Sequence, residues 1–173
     1  MKKCIIGIAA ALLLSGCGAQ PTFETIADEY LAPAMAPMQQ IRITLPEDAA
    51  VPVLESDSEG KLYVCEGYTL TVQTASAGDM EKTLQTATGF SEENLNIIRT
   101  RAGNLNRLDT VWTAAGEGGD QVGRLSLLDD GSYYYILTAM APASGVQAVE
   151  EDWDQIFDSF SLVSPEEDLH TGS

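Results

Sequence analysis

The sequence predicts an α+β domain built on an antiparallel β-sheet, and three features indicate this fold class. Alternating apolar and polar residues mark short strands over 41–74 and again over 94–141. Two other segments, 79–89 and 144–157, carry apolar residues at helical spacing. An Asp-Asp-Gly turn separates the last two predicted strands. Groups of strands with the helices set apart from them are typical of antiparallel α+β folds.

Four strands are predicted before the first of these helices. Ile41, Ile43 and Leu45 alternate with polar residues, which is the period of a strand. Pro52 lacks a backbone N–H and therefore restricts the second strand to a sheet edge. The predicted strands of this group are 41–45, 51–55, 61–65 and 68–74, with a tight turn at Glu66-Gly67.

The helix over 79–89 has signals at both ends. Asp79 fits an N-cap, because its carboxylate can accept hydrogen bonds from the first backbone N–H groups of a helix. Gly89 fits the left-handed residue that follows a helix, and Met80, Leu84 and Ala87 share one face. The strands predicted after it are 94–101, 105–114, 121–128 and 132–141, with a flexible loop at 116–120.

A second predicted helix closes the domain. Ser144-Gly145-Val146-Gln147 fits a capping box. The face opposite the apolar stripe is acidic, whereas a helix lying on a membrane normally carries Lys and Arg there. We therefore expect the stripe to be buried in protein, against the strands of 94–141. The stripe consists of Val146, Val149, Trp153, Ile156 and Phe157.

The amino terminus has the pattern of an export signal. Lys2 and Lys3 precede an uncharged eleven-residue run, 4–14, which is too short to span a bilayer. The run ends in Leu14-Ser15-Gly16-Cys17, which resembles the lipobox of bacterial lipoproteins. The resemblance implies a diacylglyceryl group on the sulfur of Cys17, cleavage before that residue and often acylation of the new amino terminus. It also implies a location on the extracytoplasmic face of a cell membrane.

The domain organisation follows from these segments. Residues 1–16 are predicted to be the signal peptide, and 17–39 a lipidated lead with a short helix over 22–31 and a Pro-containing linker. Residues 40–163 are predicted to form the α+β domain, and 164–173 a disordered polar tail. Once Cys4 is removed and Cys17 is lipidated, no intramolecular disulfide is expected, and Cys65 is expected to be buried in a strand.

The charge of the chain excludes some partners. The 173 residues carry a formal charge of −17, and loss of Lys2 and Lys3 makes the mature charge −19. Such a surface is repelled by nucleic acid and by anionic lipid, so only the acyl anchor on Cys17 is expected to hold the protein at a membrane. An acidic surface also serves solubility, and that is the simpler interpretation of the charge.

The order of elements and several landmarks resemble the PsbP-like domains of bacterial lipoproteins over about residues 40–163. The landmarks are Leu45-Pro46, YTLTVQT, Thr88-Gly89-Phe90, RLDTVWTAAGEGGD, DDGSYYYILT and WDQIFDSFSL. The resemblance implies an antiparallel α+β fold and an accessory or binding role in the cell envelope. It brings no catalytic motif.

The sequence lacks the usual catalytic and cofactor patterns. His170, in the predicted tail, is the one histidine, so a serine or cysteine triad has no base and a zinc site lacks ligands. Two acid pairs, Glu117 with Asp120 and Asp129 with Asp130, fall in hairpin loops expected at opposite ends of the strands. They are interpreted as turn residues, since either pair alone is too small for calcium. We expect no enzyme activity, cofactor or metal.

Arg99, Arg101 and Trp112 are the candidate ligand-binding residues. Arg99 and Arg101 point to the same side of their strand, and with Arg107 and Arg124 they make up four of the mature basic residues. They fit an anionic ligand or envelope polymer, or else cross-strand pairing with carboxylates on a solvated face. Likewise, the run Tyr133–Tyr135 fits a binding surface or packing under a helix.

Two functions from different classes are therefore carried forward. The first is a non-enzymatic binding or accessory lipoprotein that meets an envelope protein or polymer. The second is a binder of small ligands or anionic envelope polymers that uses an arginine and aromatic face of the sheet. An enzyme working with carboxylates alone is the least supported, because the acids fall on turns and helix faces.

Overall fold

A seven-stranded antiparallel sheet is the main element of the protein. The computed structural model describes residues 36–49, 51–56 and 60–164, and these belong to one unit of the chain. The strands are β1 Gln40–Arg42, β2 Leu54–Ser56, β3 Gly60–Cys65, β4 Tyr68–Ser76, β5 Asn96–Ala102, β6 Leu105–Ala114, β7 Gln121–Asp129, β8 Tyr133–Pro142 and β9 Ser161–Val163. The helices are α1 Met80–Thr88 and α2 Val146–Ser159.

The strand order confirms the α+β class with an antiparallel sheet. The order is β2-β3-β4-β8-β7-β6-β5, so β8 lies between the first hairpin group and the later meander. β1 and β9 form a separate two-stranded sheet, with Gln40 opposite Val163 and Arg42 opposite Ser161. The strand predicted over 41–45 thus pairs with the end of the domain.

Helix α1 covers one face of the sheet, called here the α1 face. Asp79 accepts a hydrogen bond from the N–H of Lys82 through its side chain, and Gly89 adopts a left-handed conformation with φ 83°. Both predicted ends of this helix are confirmed. Leu84 is fully buried against side chains of β6, β7 and β8, which are Leu108, Trp112, Leu125, Leu127, Tyr134 and Ile136.

Helix α2 covers the opposite face, called the α2 face. Its predicted stripe is confirmed, since Val149, Trp153, Ile156 and Phe157 are buried. Trp153 meets Tyr68 of β4 edge to face, with ring centroids 6.3 Å apart. The expected packing partner was the meander of 94–141, but the contact surface also includes β3 and β4. The sheet side chains in this cluster include Cys65, Leu70, Leu128, Leu137 and Ala139.

Neither helix covers its whole face. On the α1 face, Leu54 and Val64 near the β2 edge are exposed. On the α2 face, Ile98 and Val111 near the β5 edge are exposed by 63% and 56%. Each helix therefore leaves one edge of its face open, and α1 packs over β6, β7 and β8.

Position 123 on β7 must be glycine, because two neighbouring side chains approach its backbone closely. It lies opposite Trp112 on β6 and Met140 on β8. A Cβ built at this position would lie 2.3 Å from the Trp112 ring and 2.7 Å from the Met140 sulfur. The indole therefore lies flat over a position where only glycine fits, which fixes Trp112 in the core beneath the α1 face.

Two local predictions need correction. The capping box at Ser144 does not form, because Gly145 is the N-cap and no side chain caps the helix. Gly145 donates to the carbonyl of Pro142, and this turn starts the helix one residue later than the motif requires. The second strand begins at Leu54 rather than at 51, although it is an edge strand as Pro52 predicted.

Candidate ligand cleft

The four sheet arginines divide between the two faces. Arg99 lies opposite Leu108 and Arg101 opposite Asn106, so both point to the α1 face. Arg124 lies over the Phe157 ring of α2, at 4.4 Å from the ring centroid. Arg107 donates to the carbonyl of Phe157. The predicted group of four arginines is therefore two pairs on opposite faces of the sheet. Arg99 and Arg101 lie together at one cleft, and Arg107 also contributes to its lining.

That cavity is a cleft of about 370 Å³ on the α1 face, beside the first residue of α1. Its volume falls at the lower end of the range of small-molecule sites. Leu108 and Leu127 are buried and form an apolar floor, with Met80 beside them. The polar residues around the cleft are Arg99, Thr100, Arg101, Asn106, Arg107 and Asp129, and of these the side chains of Arg99, Arg101, Asn106 and Asp129 are called its polar rim.

The side chains of the polar rim differ in the ion pairs and hydrogen bonds that they already form within the protein. Arg99 forms an ion pair with Glu92. Asp129 accepts from the N–H of Gly131 at 2.8 Å and from Asn106 at 3.4 Å. Arg101 donates from Nε to the carbonyl of Gly103 at 3.1 Å. Within the described residues, no carboxylate pairs with Arg101.

Trp112 does not line this cleft, so its predicted role in binding gains no support from the cleft and stays a prediction. Its side chain is 7% exposed and packs in the core beneath α1. Strand alternation correctly placed it on the same face as Arg99 and Arg101. The alternation did not reveal that α1 covers this part of the face.

The two arginines on the α2 face form hydrogen bonds and ion pairs with neighbouring groups of the protein. Arg107 binds Asp109 with Nε at 2.9 Å and donates to the hydroxyl of Ser126. The Ser126 hydroxyl in turn donates to Asp109 in a very short contact. Arg124 forms an ion pair with Asp154 at 2.6 Å. Both arginines thus pair with carboxylates, but the partners are Asp109 of the same strand and Asp154 of α2 and not residues of a neighbouring strand.

Asp130 anchors the chain that enters the domain. Its carboxylate accepts from the N–H groups of Ser132 and Tyr133, from the hydroxyl of Tyr135 and from the side chain of Gln39. Burial acts to raise the pKa of Asp130, but these hydrogen bonds outweigh burial and hold the pKa below its ordinary value. Burial raises the pKa of Tyr135 to about 12, opposed by the hydrogen bond from the Gln39 N–H and assisted by the hydrogen bond to Asp130 and the charge of that carboxylate.

The tyrosine run is structural. Tyr134 is buried under α1 and donates to the carbonyl of Gly78, whereas Tyr135 is fully buried on the α2 face. Tyr133 is half-buried and lies against Tyr135. For Tyr134 and Tyr135 the packing alternative is therefore confirmed.

The sequence did not single out Leu108, Leu127, Met80 and Asn106 as cleft residues. The available signal was strand register, because Leu108 faces Arg99 across β5 and β6, and Leu127 faces Leu108 across β6 and β7. The sequence does not supply that register, and so the apolar floor was missed.

Several other predictions can be compared with the structure only in part. The acid pairs at 117–120 and 129–130 lie at opposite ends of β7, as expected. Among the described residues, no group of three potential metal ligands occurs, and no helix is long and apolar enough to cross a membrane. Cys65 is buried. The signal peptide, Cys17, the helix predicted over 22–31 and the tail from 165 lie outside the described residues.

Together the sheet, its two helices and the cleft define an α+β domain with a ligand-sized depression on one face. A solved structure with a similar fold is LpqN of Mycobacterium tuberculosis, which is described as involved in cell envelope biogenesis. The similarity has a TM-score of 0.50 and 12% sequence identity, over 78% of this chain and 87% of that chain. No protein-family model and no curated protein sequence matches the chain.

Proposed function

We propose that this protein is a non-enzymatic binding module of the cell envelope, tethered to the extracytoplasmic face of a membrane through a lipid on Cys17. The observation that carries the binding role is the cleft, where Arg99 and Arg101 meet an apolar floor. Its rim includes one carboxylate, Asp129, which is already bonded to Asn106 and Gly131. Such a rim suits recognition better than acid–base chemistry, which needs a proton donor and acceptor free to act.

The envelope location is supported by two independent observations. Leu14-Ser15-Gly16-Cys17 follows a signal-like run in the sequence. The fold is similar to that of LpqN, which is described as involved in cell envelope biogenesis. We extend the proposal to removal of residues 1–16 by the lipoprotein pathway. We also assign the α+β domain over 40–163 to the PsbP-like group.

The anchor is tested by metabolic labelling with an alkyne fatty acid in a cell that processes lipoproteins. The natural chain should take up label, Cys17→Ala should take up none, and the unlabelled variant should leave the membrane fraction. Cys65→Ala is the matched control, because it removes a cysteine that lies in the core. Label that persists on Cys17→Ala would show that the anchor has been assigned to the wrong residue.

The binding role is tested by cross-linking the lipidated protein in native membranes and identifying what it captures. The proposal is supported if the same envelope protein or polymer is captured repeatedly and if a ligand bound in the cleft reduces this capture. Turnover of a substrate by the purified protein on a broad hydrolase panel would overturn the non-enzymatic assignment.

A second candidate function is the binding of an anionic envelope polymer at the same arginines. The pairing of Arg99 and Arg101 in one cleft favours it. The acidic mature surface opposes it, since a long polyanion must approach a molecule of charge −19. A thermal-shift screen against wall polymers distinguishes the two, and the absence of a shift with any polyanion removes the second candidate.

A further inference from the structure

We propose that the cleft binds an amphipathic oxyanion, meaning a carboxylate or phosphate group that carries a short apolar chain. Arg101 holds the charged group, and Leu108, Leu127 and Met80 hold the chain. This inference rests on the proposed binding function and names the class of ligand for the same site.

Arg101 is arranged to receive an anion. Its Nε donates to the carbonyl of Gly103 in the β5–β6 turn, which fixes the guanidinium plane. The terminal nitrogens form a fork whose geometry matches the two oxygens of a carboxylate or phosphate. Arg99, by contrast, is neutralised by Glu92 and contributes less. Arg101 is thus the recognition residue of the pair.

The apolar lining of the cleft favours a ligand that carries an apolar group. Met80 of α1 is half-buried and leaves apolar surface open to the cleft, whereas Leu108 and Leu127 beneath it are already nearly fully buried. A bare inorganic anion at Arg101 would leave this surface in contact with water. An attached chain would remove apolar surface from water, at roughly 25 cal/mol per Å².

The charges around the cleft favour a small ligand over a polymer. Arg99 and Arg101 balance Glu92 and Asp129, so the rim is close to neutral within an otherwise acidic protein. A single negative charge meets little repulsion there, whereas a polyanion extends over acidic surface. The volume of about 370 Å³ also suits a small molecule.

The cleft lies at the end of the sheet where the chain enters the domain. Gln39 is bonded to Asp130, and the neighbouring residue, Asp129, lines the cleft. Gln39 thus lies at the same end of the sheet as the cleft but on the α2 face, through its bond to Tyr135. The amphiphile can come from a bilayer or from solution, and both sources supply the same chemistry.

The test is a titration of the whole mature chain followed by NMR of the backbone amides. The chain carries Cys17→Ser so that it is made without lipid and needs no detergent. Octanoate and octyl phosphate should each give saturable shifts at the amides of Arg101, Gly103 and Leu108. Acetate lacks the chain and octyltrimethylammonium lacks the anion, so both should bind at least about ten-fold more weakly.

Three variants separate the parts of the site. Arg101→Gln should weaken octanoate binding at least about ten-fold, because charge-assisted hydrogen bonds are lost. Met80→Ala should weaken octanoate binding but leave acetate unchanged. Arg42→Gln is the matched control, since it removes an exposed arginine of β1 that does not line the cleft. It should bind octanoate like the natural chain.

A second arm replaces octanoate with neutral phosphatidylcholine vesicles that contain oleate as a minor component. Shifts at the same amides indicate that the ligand is taken from a bilayer, whereas shifts with octanoate alone indicate a free amphiphile. The proposal is overturned if no anion gives saturable shifts at these amides, or if Arg101→Gln binds as well as the natural chain. Because this experiment needs no lipid on Cys17, its failure is distinct from failure of the anchor or of partner capture.

Discussion

Asp130 joins three parts of the domain through one carboxylate. It closes the β7–β8 turn through Ser132 and Tyr133, receives the hydroxyl of the buried Tyr135 and binds the side chain of Gln39. The N–H of Gln39 also donates to the Tyr135 hydroxyl at 2.9 Å. A residue that the sequence indicates only as a turn former therefore also fixes where the chain enters the domain.

This network makes stability depend on pH. The folded pKa of Asp130 lies below its ordinary value, so the ionised carboxylate stabilises the folded protein above about pH 4, and the contribution is lost as the pH falls through the folded pKa. We expect Asp130→Asn to lower the free energy of unfolding by about 1 kcal/mol at pH 7. The difference from the natural chain should shrink below about pH 4.

Urea unfolding of the mature chain between pH 3 and 7 measures this difference. Glu117→Gln is the control, since it removes one negative charge from the exposed 115–120 loop. A difference between natural chain and Asp130→Asn that stays constant over the whole pH range would contradict the role given to the ionised carboxylate.

Local signals were reliable where a residue acts on its near neighbours in the chain. Asp79 and Gly89 were placed correctly because caps depend on bonds within three or four residues. The burial of Trp112 did not follow from local signals, because its surroundings depend on Gly123, Met140 and the position of α1, which are distant in sequence. The insertion of β8 between β4 and β7 is non-local in the same way.

Helix α2 illustrates which properties of an element its own sequence determines. The spacing of Trp153, Ile156 and Phe157 identified the buried face. The strands that receive this face were only partly predicted, because β3 and β4 reach the helix through the pairing of β4 with β8. The start of the helix was also missed, because the turn at Gly145 overrides the Ser144 motif.

The burial of α2 predicts a large effect at one position. Trp153 is 4% exposed and packs against Tyr68, so Trp153→Ala should lower the free energy of unfolding by about 3–5 kcal/mol. The neighbouring Asp152 is exposed, and Asp152→Ala should change stability by less than about 0.5 kcal/mol. Urea unfolding of the mature chain compares the two. A loss below about 1 kcal/mol for Trp153→Ala would place the stripe outside the core.

The charge of the whole molecule is the property most directly given by the sequence. Four ion pairs occur among the described residues, and they involve Lys61, Arg99, Arg107 and Arg124. The chain has only 9 basic residues for 26 acidic ones, so most carboxylates have no basic residue to balance them, and the formal charge is −17. Repulsion among these carboxylates opposes the compact state at neutral pH.

Salt should therefore stabilise the protein at pH 7. Sodium chloride screens exposed charges over about 10 Å at 0.1 M and over shorter distances at higher concentration. We expect the urea midpoint to rise with salt at pH 7 and to respond much less near the pI of about 4.1, where the net charge is small. A midpoint that falls with salt at pH 7 would mean that the attractive ion pairs outweigh the repulsion.

The pairing of β1 with β9 determines how the domain responds to mechanical load. Gln40 lies opposite Val163, so the chain enters and leaves the domain side by side, at the same end of this small antiparallel sheet. A pull applied between the chain before Gln40 and the chain after Val163 acts on that end. The hydrogen bonds between β1 and β9 then break one after another. The two strands should separate at low force and let the chain extend before the seven-stranded sheet bears any load.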